Sequence, residues 1–287
     1  MTGNDARSTK TVVITGASTG IGRACALHLD RLGFRVFAGV RRTADGNALQ
    51  QDASDRLHHI YLDVNDEESI HTAAKIIEAS CPDGGLSGLV NNAGIVVAGP
   101  LEFIPLDSLR SQLDTNVVGQ IAVTQALLGM LRSARGRIVN MSSVSGRVAA
   151  PFLGPYSASK FAFEAISDSM RLELRPWSIH VSIIEPGPIA TPIWEKSRTT
   201  TKNMLDKLPP QAHGLYGEQI KAADTWAWTM TRDMPSPEAV TRAVEHALTS
   251  RRPRIRYRIG SAGLITEIIA RLAPDRLRDW LIIRQRT

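Results

Sequence analysis

The stretch Thr11-Val12-Val13-Ile14-Thr15-Gly16-Ala17-Ser18-Thr19-Gly20-Ile21-Gly22-Arg23-Ala24-Cys25-Ala26-Leu27 decides the fold. A short run rich in β-branched residues predicts a buried strand, the three glycines predict a tight turn, and Arg23 to Leu27 continue as helix. A strand that passes through a glycine turn straight into a helix is the opening unit of a parallel sheet packed on by helices.

The same alternation continues outward from that unit. Strands are predicted at Thr11–Thr15, Arg35–Val40, His58–Leu62, Gly88–Asn91, Gly136–Asn140, Ile179–Ile184 and within Ile255–Ile259, with helices near 20–32, 45–52, 66–80, 107–133, 157–175 and 236–249. The class is therefore α/β: a single doubly wound parallel sheet of about seven strands with helices on both faces. Residues 1–10 read as a flexible tail, 11–260 as a dinucleotide-binding catalytic domain, and 261–287 as a basic amphipathic extension. Within the domain, 188–235 breaks the rhythm and collects Trp194, Met204, Leu205, Leu208, Leu215, Trp226, Trp228 and Met230, as a substrate lid would.

With 43% hydrophobic and 22% charged residues over 287 positions, the chain is not disordered. Cys25 and Cys81 are too few for a disulfide framework and predict two reduced, packed thiols. No run approaches the roughly 18 apolar residues of a membrane span, and Met1 to Arg7 lack the apolar core of a secretory signal, so a cytoplasmic location is expected. The net charge of +6 is localised: residues 251–287 hold ten Arg and three acids, while the preceding 250 residues hold 24 basic and 25 acidic side chains. Nucleic acid is not an expected partner, because no recognised module accompanies the charge. The tail's pieces Leu264–Leu272 and Leu277–Ile283, broken by Pro274, suit either packing on the domain or on a partner subunit, or weak peripheral contact with an anionic membrane.

At the first turn, Gly16, Ser18, Thr19, Gly20, Ile21 and Gly22 offer tight backbone approach, free N–H groups and the positive end of a helix, which together suit a pyrophosphate. Many glycine turns merely connect elements, but this one holds the place where a dinucleotide lies. The second strand ends in Arg41 and Arg42 with no carboxylate at the turn, which suits a 2′-phosphate and favours NADP over NAD, with NAD also admitted. A solvated arginine pair is the plainer alternative. After the third strand, Asp63 and Val64 stand where a carboxylate can accept from an adenine amino group, while Asn65 and Asp66 are better placed to cap the next helix. Asn92, Ala93 and Gly94 follow the fourth strand, and their small size lets a cofactor lie against the backbone; alone they also read as a turn.

Tyr156 and Lys160 are four residues apart at the start of a helix, hence on one face. A cation beside a phenol lowers its pKa toward working pH, which lets it exchange protons with an alcohol or ketone. Ser143 ends the fifth strand at the sheet's carboxyl edge, where its hydroxyl can hold the substrate oxygen; Ser142 and Ser145 are its near competitors.

In combination, the glycine turn, Asn91-Asn92-Ala93-Gly94 and Tyr156-Ser157-Ala158-Ser159-Lys160 closely resemble the short-chain dehydrogenase/reductase family over roughly residues 10 to 260. That resemblance implies a Rossmann-type fold and a Ser143, Tyr156, Lys160 site to which Asn116 adds a fourth member, supporting a water that links Lys160 to solvent. It also implies that Pro186, Gly187, Ile189 and Thr191 hold the nicotinamide carboxamide and ribose, beside Tyr156 and Lys160. Val36 to Arg41 and Arg254 to Gly260 look like the hydroxysteroid and retinol dehydrogenase branch, with 3-hydroxybutyrate dehydrogenases related. The implied partners are a small apolar alcohol or carbonyl substrate and further copies of the chain, as homodimer or homotetramer. No metal site is expected, since His58 and His59 diverge on one strand and the other His are scattered. Ser143 lacks the Gly-x-Ser-x-Gly frame of a serine hydrolase. A catalytically silent dinucleotide-binding regulator is the competing class, and the intact Ser143, Tyr156 and Lys160 argue against it.

Overall fold

The computed structural model describes residues 10–81, 85–206, 208–231, 234–260 and 273–284. Seven strands, β1 (Thr11–Ile14), β2 (Arg35–Val40), β3 (Leu57–Tyr61), β4 (Gly88–Asn91), β5 (Arg137–Met141), β6 (His180–Pro186) and β7 (Arg256–Ile259), pair in parallel in the order β3-β2-β1-β4-β5-β6-β7. The winding reverses between β1 and β4, so their carboxyl ends part around a crevice.

Alternate strand residues feed opposite cores, as the pleat requires. Val12 and Ile14 of β1 join Val36 and Ala38 of β2 on one face, under α1 (Gly20–Arg31) and α9 (Glu238–Thr249). Val13 and Phe37 join Leu89 and Ile138 on the other, under α3 (Glu67–Ser80) and α5 (Gly119–Ser133). Both Cys25 and Cys81 are buried free thiols, and burial pushes Cys25 up to about 12.

Among the described residues the remaining helices are α2 (Thr43–Gln50), α4 (Leu106–Leu113), α6 (Gly154–Glu173), α7 (Ile193–Leu205), α8 (Pro210–Thr231) and α10 (Asp275–Arg284). Two differ from sequence expectation in ways that matter. The helix predicted over 107–133 is interrupted at Asp114–Val118 by a π-helical turn, which fits one extra residue where buried Thr115, Asn116 and Gln120 all need partners. Helix α6 starts three residues earlier than predicted, with Pro155 in its first turn, where a missing N–H costs nothing.

The stretch 188–235 contains α7 and α8, joined by the Arg198–Asp224 ion pair. Met204 lies over Gly99 and Leu215 is 53% exposed; the side chains of Trp226, Trp228 and Met230 lie outside the described residues. So do residues 1–9 of the expected tail and the whole piece Leu264–Leu272. Its companion forms α10, whose Leu277, Trp280 and Ile283 are about half exposed while Leu281 and Ile282 are partly buried. Among the described residues no helix is long and apolar enough to cross a membrane.

A buried ionic cluster fixes α6 to the sheet edge. Arg147 donates to Glu164 at 2.8 Å and to Glu185 at 2.8 Å, and Arg256 reaches Glu164 at 3.2 Å, Asp168 at 2.5 Å and Glu185 at 3.2 Å. Glu164 and Glu185 are 4% and 2% exposed, so each depends on these guanidiniums to be buried as a carboxylate. Arg256→Met is expected to lower stability by about 3 kcal/mol, because it strands buried negative charge; urea unfolding of the variant against the parent checks this.

Candidate active site

The turn leaving β1 and the turn leaving β4 are bound together. Thr15 Oγ1 accepts from the amides of Asn92 and Ala93 at 2.9 Å each, and Asn92 Nδ2 donates to Thr15 O at 2.9 Å and Gly16 O at 3.1 Å. Gly16 has φ +65, and a Cβ there would meet Ala93 Cα at 2.8 Å; one on Gly22 would strike Asn92 Nδ2 and Gly16 O. These two glycines thus bring the turns into contact.

Thr19 is the N-cap of α1, yet its side chain caps nothing and the first turn holds no acid. Among the described residues the amides of Gly20, Ile21 and Gly22 therefore have no intrahelical or side-chain acceptor, the donor set a diphosphate needs. Thr191 sits over Gly20 (φ +59), 3.2 Å from where its Cβ would be. Gly187 N bonds Ile259 O at 3.0 Å, and Ile189 O accepts from Trp194 Nε1 at 2.8 Å, which fixes the segment after Pro186. The residues present fit a nicotinamide dinucleotide along this edge.

At the end of β2, Arg42 forms a two-pronged bond with Asp45 at 2.9 and 2.8 Å. The sequence reading found no carboxylate at that turn; Asp45, on the first turn of α2, supplies one and draws Arg42 away. Arg41 is exposed and makes no hydrogen bond or ion pair among the described residues. Asp63 is half-buried and accepts from Asn65 N at 3.1 Å, while Asp66 caps α3 through Glu68 N and Ser69 N. Val64 is buried and its carbonyl faces Gly119 at the start of α5. A cleft of about 540 Å³ opens beside Val64 and Asn65, walled by α4 and α5, and none of Ser143, Tyr156 or Lys160 lines it.

The candidate chemistry lies where β5 ends. Ser143 caps a single 3-10 turn (Val144–Gly146), its Oγ accepting from Ser145 N at 3.2 Å. Tyr156 is buried beside the Ser143 hydroxyl, and Lys160, one helical turn on, donates to Met141 O at 2.8 Å with its ammonium 5.8 Å from the Tyr156 ring centre. Ser142 points elsewhere, toward Gly146 and Glu164. Asn116, set in the π turn, accepts from Ile95 N at 2.8 Å and donates to Ile95 O and Ser159 Oγ at 3.1 Å each. Ser159 in turn donates to Tyr156 O at 2.7 Å, so Asn116 reaches the tyrosine's own backbone. Gly94 packs on Asn116 Oδ1.

Electrostatics here depart from the sequence expectation. Burial raises the Tyr156 phenol above its ordinary value, and the neighbouring Ser143 hydroxyl only opposes this. Lys160 is pulled down to about 8 by burial, with Glu164 opposing. The expected lowering of the tyrosine by its lysine is outweighed because both groups lose water on the same helix face.

Sequence reasoning passed over Ser159, Thr15, Gln120 and the aromatic wall. Phe152, at φ +65, turns its carbonyl to Gly99 N at 2.8 Å, and Tyr216 of α8 stacks edge-on against Phe152 and Phe103 at 6.4 and 5.9 Å. Ser159 lay inside the Tyr-x-x-x-Lys interval and was within reach of inspection; the others carry no local signal.

A family profile described as short chain dehydrogenase matches residues 10–202. The chain belongs to the short-chain dehydrogenase family. It is 40% identical to mouse retinol dehydrogenase 5 over 285 residues, covering 95% of this chain and 89% of that one. It is 38% identical to bovine 17-beta-hydroxysteroid dehydrogenase type 6 (96% and 88% covered) and to mouse mitochondrial D-beta-hydroxybutyrate dehydrogenase (88% and 77% covered). A solved short-chain dehydrogenase from Streptomyces avermitilis superposes with a TM-score of 0.77 at 26% identity, covering 98% of each chain. The retinol and hydroxysteroid branch expected from the sequence is where these short-chain dehydrogenase relatives lie, and the chain is an oxidoreductase of this NAD(P)-binding family.

Lys160 also yields a stability prediction. Unfolded, its ammonium holds its proton up to about 10.5; folded, only to about 8, so the unfolded chain binds the extra proton between those values and stability rises with pH across them. Below about 8 the cost of burying the charge is fully present. Lys160→Met is expected to raise stability near neutral pH by roughly 2 kcal/mol, the burial cost less the lost bond to Met141. Thermal unfolding against pH should show that gain shrinking above about 8.

Proposed function

We propose that the protein interconverts apolar secondary or primary alcohols with their ketones or aldehydes, using a nicotinamide dinucleotide and preferring NADP(H). The observation that carries this reading is the grouping of Ser143, Tyr156 and Lys160, with Lys160 bonded to Met141 O and its ammonium 5.8 Å from the Tyr156 ring centre, at the carboxyl edge beside the winding reversal. When bound, the dinucleotide supplies or accepts the hydride.

Everything else is done by this chain. Ser143 and Tyr156 present two hydroxyls to one substrate oxygen, so negative charge developing there meets donors already in place. Tyr156 stays neutral at physiological pH because burial raises it, which makes it the acid in the reducing direction. Lys160, anchored by Met141 O, keeps a positive charge behind the phenol as its proton leaves and stands ready for the cofactor ribose. Asn116 positions α6 through Ser159 and Ile95, and supports the proton path from Lys160 to solvent.

The walls support an apolar substrate. Phe152, Phe103 and Tyr216 form an aromatic corner, and Met204 lies over Gly99 beside it. That corner suits the kind of compound named in the retinol and hydroxysteroid relatives better than a small hydroxy acid. Free Arg41 supports NADP preference, as a fork for a 2′-phosphate. Exposed Val118, Phe161 and Leu172 on and beside α5 and α6 support self-association through those helices.

Tyr156→Phe should retain dinucleotide affinity and lose about 100- to 10,000-fold in turnover; steady-state kinetics beside a binding titration checks it, and near-parental turnover would refute Tyr156 as the acid. In the parent, carbonyl reduction should hold level below about pH 8 and fall above it as Lys160 deprotonates. Arg41→Ala should weaken NADPH at least several-fold more than NADH, as titration of both cofactors will show.

A further inference from the structure

Lys160 and Glu164 stand four residues apart on one face of α6, and both are buried, at 5% and 4% exposure. The proposed chemistry uses the lysine and leaves the glutamate without a part. Both are set against one short stretch of chain. Lys160 Nζ donates to Met141 O at 2.8 Å. The next residue, Ser142, closes on the same point as Glu164: a Cβ on Gly146 would lie 2.9 Å from Ser142 Oγ and 3.0 Å from Glu164 Cγ. The anchor of the ammonium and the neighbour of the carboxylate are thus consecutive residues.

Glu164 belongs to the ionic cluster at the sheet edge, where Glu164, Glu185 and Asp168 face Arg147, Arg256 and Arg258. Arg147 follows the 3-10 turn, Glu185 is on β6, and the other two arginines are on β7. On α6 itself Tyr156 stands one turn before Lys160, and Arg171 pairs with Asp168 further along. Elsewhere around the helix the charges turn outward: Asp114 of the π turn is exposed, and Asp107 and Arg110 of α4 pair with each other in solvent. Glu164 Oε2 accepts from both of its arginines, while Oε1 is buried and accepts no hydrogen bond among the described residues.

A buried carboxylate oxygen acts over a longer distance than one in water, because little solvent screens it. Glu164 accordingly opposes the burial that draws Lys160 down to about 8. Burial draws Glu164 toward its own neutral form as well, and Ser142, Arg147 and Arg256 oppose that. We propose that Glu164 is a positioning residue for the proton transfer: its carboxylate, held by Arg147 and Arg256, keeps the Lys160 ammonium charged behind Tyr156. It acts through the lysine rather than on a substrate. Its use in turnover rests on the reaction proposed above, whereas the coupling of the two charges rests on the cluster alone.

The test is a carbon-13 NMR titration of lysine-labelled protein, with the Lys160 Cε signal assigned by its loss in Lys160→Met, beside the pH profile of carbonyl reduction. In the parent the Lys160 midpoint should lie near 8. Glu164→Gln should lower it by about one pH unit, a tenfold loss of proton affinity, and move the fall in reduction down with it. Glu164→Asp should restore most of the shift. Arg256→Met weakens the same cluster but removes a positive charge, so it should move the midpoint up. Opposite shifts from two variants that both loosen α6 belong to charge and not to packing. An unmoved midpoint in Glu164→Gln overturns the proposal, and so do equal downward shifts in Glu164→Gln and Arg256→Met. Should Glu164→Gln fail to fold, the lack of an upward shift in Arg256→Met overturns it. The titration needs neither cofactor nor turnover, so the expected midpoints in protein inactive on every carbonyl tested would sink the proposed reaction and leave the coupling of Glu164 to Lys160 standing.

Discussion

Four hydrogen bonds hold the candidate site together: the two amides that Thr15 Oγ1 accepts, and the two carbonyls that Asn92 Nδ2 reaches. The winding reversal between β1 and β4 would otherwise leave two turns with unpaired backbone groups facing across a crevice. Joining them through side chains makes a floor, and Gly16 and Gly22 are glycine because a Cβ at either would push the floor apart. The free α1 amides lie next to this floor, and Gly94, two residues beyond Asn92, packs on Asn116.

From there the order passes inward through polar contacts. Asn91 donates to Asn140 and Thr124 at 2.9 Å each, and Asn140 donates to Ser167 of α6 at 2.8 Å, tying β4, β5 and α6 below the catalytic candidates. The Arg147, Glu164, Glu185 and Arg256 cluster grips α6 from its other side. Tyr156 and Lys160 are thus held on a helix that cannot retreat toward water. Burial raises one and lowers the other, so that each is drawn toward its neutral form. A rigid, dry support is what keeps a proton donor neutral and aimed at the sheet edge.

Much of this was legible in the sequence because its cause is local. The strand, glycine turn and helix at 11–31 announce themselves through β-branched residues and glycine, and Tyr156 and Lys160 through helical spacing. What stayed hidden depends on partners far away in sequence. Nothing near Glu164 or Glu185 tells that Arg147 and Arg256 will neutralise them. The π turn at Asp114–Val118 has no signature in a run that looks like plain helix, and exists because Asn116 must meet Ile95 and Ser159. Asp45 is a partner of Arg42 that the turn after β2 does not reveal, because it stands on the helix that follows. The expected effect of Lys160 on Tyr156 considered charge without water, and desolvation proved the larger influence.

On the function proposed above, this crevice binds a reduced nicotinamide dinucleotide and delivers its reducing power to an apolar carbonyl. The most direct measurement follows nicotinamide absorbance with purified protein, NADPH or NADH, and a panel of retinoid, steroid, aliphatic and 3-oxoacid carbonyl compounds. The account predicts consumption of NADPH with retinoid, steroid or long aliphatic carbonyls and little with the 3-oxoacids. Silence across the whole panel from protein that demonstrably binds the dinucleotide would contradict it.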